Sequence, residues 1–216
     1  MLRGCVVIMR DMEKIQVILA SKSPRRRELL KSAGVEFSVL TANVNEALSE
    51  EEKQNPRAAA ANLADRKAGA VTQVVLGESP QGVYVVIGAD TMVVLDNIIF
   101  GKPRNLDDGK RMLRALSGQT HRVITGVSVW MINALDPEEV AVGHKVFADE
   151  SLVTFKELTD EEIADYLRKG ESFDKAGAYA AQGEGAKLIQ NIEGALDNVI
   201  GLPVEHLLEM FPQLRP

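Results

Sequence analysis

Three consecutive arginines, Arg25, Arg26 and Arg27, follow Lys22 in what reads as the first turn of a helix that Ser23 and Pro24 begin. A helix N-terminus carries roughly half a positive charge, and cations placed there usually cost about 0.3–1 kcal/mol. The arrangement asks for an anion. Free backbone amides, the helix dipole and guanidinium forks together make a phosphate site, and two or more arginines suit a polyphosphate better than a single phosphate. Ser21 and Ser23 flank the turn with hydroxyl donors, Arg25 and Arg26 are the expected ligands, and Arg27 is the expected solvent-facing member. Charge alone is met equally well by a solvated basic face balanced by Glu28 or by acids elsewhere.

Asp90 is the second anomaly, a carboxylate directly after residues 83–87, which read as a short buried β-branched strand. Ligands of open α/β sheets gather outside the carboxyl ends of strands, where Gly88-Ala89-Asp90-Thr91 is expected to lie; a turn-forming aspartate fits the same spacing. A carboxylate there needs a cation or a hydrogen-bonding role. Because an isolated carboxylate is a weak base at neutral pH, metal-assisted work is favoured: a divalent ion lowers the pKa of bound water while the acid ligates the ion or takes the proton. Glu46 is the candidate second oxygen ligand. Gly101-Lys102-Pro103 presents a lysine on a rigid turn, without the glycine and Ser/Thr of a Walker A loop, and Gly183-Glu184-Gly185 lacks the third glycine of a dinucleotide fingerprint. His121, His144 and His206 have no metal-ligand spacing and read as surface or structural residues; Cys5 has no local partner that marks a nucleophile; Trp130, alternating with Val127 and Val129, reads as packing.

The elements that must position these residues follow from pattern. Residues 15–20 read as a strand, 24–32 as the arginine-bearing helix stopping near Gly34, and Asn55-Pro56 announces an alanine-rich helix over 58–71 that carries Lys67. A loop spans 77–82. A helix over about 107–116 precedes two β segments, 122–132 and 140–155, joined through Asp136-Pro137 and expected to pair. Thr159 and Glu162 form a capping box that opens a helix closed by Gly170. A glycine-punctuated stretch, 174–201, leads to a last helix begun by Pro203. Helices and strands alternate early and β hairpins dominate the middle, which predicts a single α/β mixed-sheet domain in two lobes with a central cleft.

Bulk properties exclude several classes. The 216 residues are 45% hydrophobic and 26% charged, values of an ordinary globular chain rather than a disordered, collagen-like or coiled-coil one. With 25 Lys and Arg against 31 Asp and Glu the net charge is -6, so a sequence-independent grip on nucleic acid is not expected. No apolar run approaches the ~18 residues of a membrane span. The single cysteine cannot form an internal disulfide, and a cytoplasmic location is expected. Residues 1–14 read as a flexible N-terminal extension whose apolar stretch at 6–9 is too brief for a secretory signal, with Met9 and Met12 as alternative initiators; residues 15–216 form the domain.

Several motifs, in order, resemble one family. Ser21-Lys22-Ser23-Pro24-Arg25-Arg26-Arg27-Glu28-Leu29-Leu30, Lys67-Ala68, Gly88-Ala89-Asp90-Thr91, Gly101-Lys102-Pro103, Leu116-Ser117-Gly118 with His121 and Thr125-Gly126-Val127, Asp174-Lys175-Ala176-Gly177-Ala178-Tyr179 with Gln182-Gly183, and Gly201-Leu202-Pro203 resemble the Maf family of nucleoside triphosphate pyrophosphatases. The resemblance implies an inosine triphosphate pyrophosphatase-like fold and hydrolysis of a nucleoside triphosphate to monophosphate and pyrophosphate, dependent on a divalent cation, Mg or Mn, in a house-cleaning role. It implies Asp90 as catalytic acid and metal ligand, Glu46 as the loop acid of the metal site, and Ser21, Ser23, Arg25, Arg26, Lys67, Lys102, Asp174 and Lys175 as substrate-binding. Asn43 and Asn45 stand where the family commonly has acids. Arg25, Thr91 and Gln182 occupy positions that separate subfamilies; Ala-Asp-Thr at 89–91 resembles the dTTP/UTP-cleaving group, whereas the 7-methyl-GTP group shows Ser-Asp-Gln. A homodimer, and a non-catalytic nucleotide-binding regulator of cell division, are further expectations that the resemblance raises.

Overall fold

The computed structural model describes residues 14–136 and 138–215. All but the last residue of the expected N-terminal extension, with Cys5, therefore lies outside the described residues, as does Pro137 of the expected turn. One seven-stranded mixed sheet forms the frame, in the order β2 (Ser38–Val39), β1 (Gln16–Leu19), β3 (Gly82–Leu95), β5 (Thr120–Ala134), β6 (Ala141–Phe155) and β7 (Ile189–Glu193), with β4 (Ile98–Phe100) attached to β3. β1 runs parallel to β2 and β3, and every other pairing is antiparallel. None of the described helices is long and apolar enough to cross a membrane.

Helices cover both faces. On one face lies α3 (Pro56–Gly77), whose buried Ala60, Ala64 and Ala68 recur every fourth residue. Their counterparts on the sheet are glycines. A Cβ on Gly126 would stand 2.3 Å from the carbonyl of Ala60, and one on Gly88 would stand 2.5 Å from the carbonyl oxygen of Ala64. Glycine within a strand marks such a close approach, and here it lets the helix backbone settle on the sheet. The opposite face carries two separate cores. Val17, Leu19, Val85, Ile87, Val127 and Val129 pack with Leu30 of α1 (Pro24–Ser32) and Leu207 of α7 (Val204–Met210). Val93, Val123, Val153 and Phe155 pack with Leu113 of α4 (Leu106–Leu116) and Ile163 of α5 (Asp160–Arg168). The expected single α/β mixed-sheet domain in two lobes thus takes the form of one sheet that carries two cores on this face.

The strand read over residues 83–87 does not end there. β3 continues to Leu95, so Asp90 lies inside a strand rather than in the loop after one. What ends at Ile87 is the pairing with β1, and the pairing with β4 begins only at Val93. Gly88 to Met92 thus form a free edge, and the cleft opens there. Antiparallel pairing with β5 on the other edge, Asp90 opposite Gly126 and Thr91 opposite Thr125, keeps the strand continuous. A neighbour on one side suffices to hold Gly88 extended.

Smaller differences have similarly local causes. Ser23 occupies the N-cap of α1 but its side chain caps nothing; its backbone N–H bonds Ser21 Oγ at 3.2 Å instead. The glycine-rich region 174–201 contains β7 and α6 (Leu196–Ile200), and Pro203 caps α7 from outside it. The short α2 (Glu50–Gln54), with a complete Ser49–Glu52 capping box, was legible in Ser49-Glu50-Glu51-Glu52 and absent from the sequence reading.

Candidate active site

The cleft at the free edge of β3 has a volume of about 360 Å3 and is continuous in its lining with a second, more polar recess of about 410 Å3. Ser23, Arg25, Arg26, Glu46, Lys67, Lys102 and Asp174 border both; Ser21 faces only the polar recess, and Asp90, Thr91, Lys175 and Gln182 only the main cleft. All twelve residues singled out from sequence therefore converge from the loop between β1 and α1, α1 itself, the loop before α2, α3, β3, the turn after β4 and the 174–182 segment.

Because successive strand residues face opposite sides, Asp90 points to the α3 face and Thr91 to the α1 face. The seat of α3 on Gly88 and Gly126 brings Lys67 to Asp90: Lys67 Nζ lies 2.6 Å from Asp90 Oδ1 and 3.0 Å from Glu46 Oε1. The Lys67 and Asp90 side chains are each 16% exposed and Glu46 is 56% exposed. Burial raises the Glu46 carboxyl, but the Lys67 hydrogen bond and the charges of Lys67, Lys102 and Arg26 outweigh it and hold the group below its ordinary range. The Glu46 loop is pinned in turn by Arg66, whose Nη1 donates to the carbonyls of Asn45 and Ala47 at 3.3 and 3.2 Å.

On the other side, Arg26 is braced rather than free. Its Nε donates to the Gly201 carbonyl at 2.7 Å, Nη1 to Ser21 Oγ at 3.2 Å and Nη2 to Thr91 Oγ1 at 3.1 Å. Desolvation lowers its pKa while the Asp90 charge opposes that fall. Arg25 reaches across the cleft mouth to Asp174 at 3.3 Å, so part of the anion its position asks for is supplied by the chain itself. Arg27 is exposed and donates to the Lys22 carbonyl, and Lys102 is exposed at the rim. The Lys102 turn is fastened by the Gly177 N–H to the Gly101 carbonyl, 3.1 Å, where Gly177 has φ +69° and a Cβ would meet Val93 at 2.9 Å.

Sequence reading missed the apolar half of the cleft, contributed by Leu48, Leu63, Ile99, Phe100, Val199 and Ile200, because nothing in an apolar residue distinguishes a cleft wall from a core. It also missed the buried Asn198, and it gave no role to the buried Thr125, which it held only as part of the Thr125-Gly126-Val127 motif. His121 is not at the surface: it is 1% exposed, and its Nε2 lies 2.7 Å from the hydroxyl of Tyr179, a cleft-lining residue. Burial pushes its pKa down to about 4 from 6.5. The unfolded chain therefore binds a proton that the folded chain refuses, and stability present above pH 6.5 is lost as pH falls towards 4, by on the order of 3 kcal/mol in the limit. Denaturation midpoints measured between pH 7 and 4.5 are expected to fall more steeply for the native chain than for His121→Leu.

Two carboxylates converging on one ammonium bear on a metal. Among the described residues no group of three or more His, Cys, Asp and Glu is placed to hold an ion. A hard cation that draws most of its oxygens from phosphates and water needs only one or two carboxylates, and Asp90 with Glu46 fits that demand.

A profile of the family described as Maf-like protein matches residues 16–214. The chain belongs to the Maf family. Among its relatives, the dTTP/UTP pyrophosphatase of Citrifermentans bemidjiense is 43% identical over 89% of this chain and 92% of that protein. The dTTP/UTP pyrophosphatase of Clostridioides difficile (strain 630) is 42% identical with the same coverages. A crystal structure of a nucleoside-triphosphatase / dITP/XTP pyrophosphatase from Mycobacterium abscessus covers 93% of this Maf chain and 98% of its own at 12% identity and a TM-score of 0.41, a distant likeness from which nothing about function follows.

Proposed function

We propose that this chain hydrolyses dTTP and UTP to the nucleoside monophosphate and pyrophosphate, in the cytoplasm and as a house-cleaning activity. It is a hydrolase acting on the anhydride of nucleoside triphosphates, in keeping with Maf relatives 40–43% identical that are named dTTP/UTP pyrophosphatase. The observation that carries the reading is the pair of acids where the two recesses meet: Asp90 and Glu46 share Lys67 at 2.6 and 3.0 Å, with the same cations bordering both recesses and an apolar wall in the main cleft. A triphosphate fits such a junction with its phosphates among Ser21, Ser23, Arg25, Arg26 and Lys102, and its base against the apolar wall. Asp174 and Lys175 border the phosphates. Because Arg25 is held by a weak 3.3 Å contact to a half-exposed carboxylate, a polyphosphate displaces Asp174 at little cost.

Lys67 fixes both acids by one oxygen each. Asp90 keeps Oδ2 free to take the proton of the attacking water, and the cations on the opposite side neutralise the charge that develops on the leaving pyrophosphate. Asp90 and Glu46 would hold a divalent cation, Mg or Mn, which would supply Lewis-acid polarisation of the phosphates and acidify water. Arg25, Thr91 and Gln182 set the base preference; the Gln182 amide both donates and accepts, as a pyrimidine edge requires. The test is a panel of nucleoside triphosphates, 7-methyl-GTP included, with Mg or Mn: pyrophosphate release greatest with dTTP and UTP is expected. Preference for 7-methyl-GTP moves the assignment to that base, and stoichiometric binding without product makes the chain a nucleotide sensor instead.

A further inference from the structure

We infer that Thr125 is a positioning residue that fixes the direction of a hydroxyl chain at the cleft and thereby makes the site select bases presenting an imide N–H. The inference rests on the triphosphate reading above.

Thr125 is fully buried on β5, directly opposite Thr91 on β3. Its Oγ1 donates to the Asn198 carbonyl at 2.8 Å. A hydroxyl has one proton and two lone pairs, so this bond consumes the only proton Thr125 has. Thr91 Oγ1 lies 3.0 Å from Thr125 Oγ1, and of the two it must be the donor. Its own proton is then spent inward, while one lone pair accepts Arg26 Nη2 at 3.1 Å. The competing acceptor for Thr91, the Gly201 carbonyl, is 3.5 Å away and already takes Arg26 Nε at 2.7 Å. The acceptor at the far end is immobile as well, since the buried Asn198 donates through Nδ2 to the Val123 carbonyl at 3.0 Å and to Ser151 Oγ at 2.9 Å. Proton count thus runs one way, from Arg26 to Thr91 to Thr125 to Asn198.

The consequence falls on Thr91, which lines the cleft. Its hydroxyl has nothing left to offer a base except a lone pair. Uracil and thymine carry N3–H between two carbonyls and satisfy it; cytosine puts a lone pair at N3 and meets lone pair against lone pair. A site whose buried polar group is left facing a mismatched partner discriminates far more strongly than one missing a methylene.

The test compares kcat/KM for UTP and CTP, which differ only at C4 and N3, in the native chain, Thr125→Val and Thr125→Ser. The native chain should favour UTP, Thr125→Ser should keep the ratio within about twofold, and Thr125→Val should lower it by about tenfold or more, because a released Thr91 hydroxyl rotates and donates to cytosine. A Thr125→Val variant that slows both nucleotides equally overturns the inference, since that is what a merely structural role does. Should Thr125→Val fail to fold, the native chain with 3-methyl-UTP decides: this probe keeps both carbonyls and loses the N3 donor, so turnover at least about tenfold below that of UTP supports the inference and equal turnover overturns it. Absence of pyrophosphate release from every triphosphate sinks the functional reading and this inference together, whereas a native enzyme indifferent to UTP and CTP sinks this inference alone.

Discussion

Replacement of Asp90 by asparagine is expected to lower kcat for UTP by about 10²–10⁴-fold, the usual worth of a positioned general base. The variant should fold. The amide is isosteric, its Oδ1 still accepts from Lys67 Nζ at the 2.6 Å site, and the residue sits on a free strand edge with 16% of its side chain exposed. What it loses is the anionic oxygen that the proposed reaction uses to take a proton. KM for UTP should hold or fall, because a negative charge facing the polyphosphate has gone. Glu46→Gln should cost less, since that carboxylate is 56% exposed and stands farther from the strand edge that carries Asp90. Single-turnover pyrophosphate release, read beside the denaturation midpoint, checks both; an Asp90→Asn protein of undiminished kcat removes Asp90 from the chemistry.

Gly126→Ala is expected to be strongly damaging for a single methyl. Its Cβ would lie 2.3 Å from the carbonyl carbon and oxygen of Ala60 and 2.4 Å from the Ala61 nitrogen, all backbone atoms of α3 that no rotamer change can move aside. Overpacking of a rigid contact costs about 1–3 kcal/mol or more, and relief here requires the whole helix to lift. Lifting α3 also withdraws Lys67 from Asp90, which is opposite Gly126 in the β3–β5 register, so activity should fall beyond what stability accounts for. Chemical denaturation at neutral pH measures the first effect; kcat at a temperature where the variant remains folded measures the second. Gly69→Ala on the same helix is the control, because its Cβ would meet only the Trp130 ring at 3.5 Å.

The residues that carry charge were legible because charge in an unfavourable place is a local signal. Arg25 and Arg26 oppose a helix dipole, and Asp90 interrupts a β-branched run, so each stands out against its immediate neighbours. Gly88 and Gly126 left a weaker trace, since a glycine in a strand marks a close approach without naming what approaches. Leu48, Phe100 and Val199 left none, for a cleft wall and a core ask the same of an apolar side chain.

The sequence by itself determined the chemical inventory and most of the elements: a basic helix start, an acid on an apolar strand, an alanine-rich helix bearing a lysine, a long hairpin. Only the tertiary structure decided how they act on one another. It decided that β3 runs through Asp90, because β5 pairs with it where β1 stops. It decided that Arg26 braces Gly201 and Thr91 while Arg25 meets Asp174, and that the histidine at 121 is buried and neutral. Each of these depends on partners between 36 and 175 residues apart along the chain, and a preference written into neighbouring residues holds no information about which distant surface will close over them.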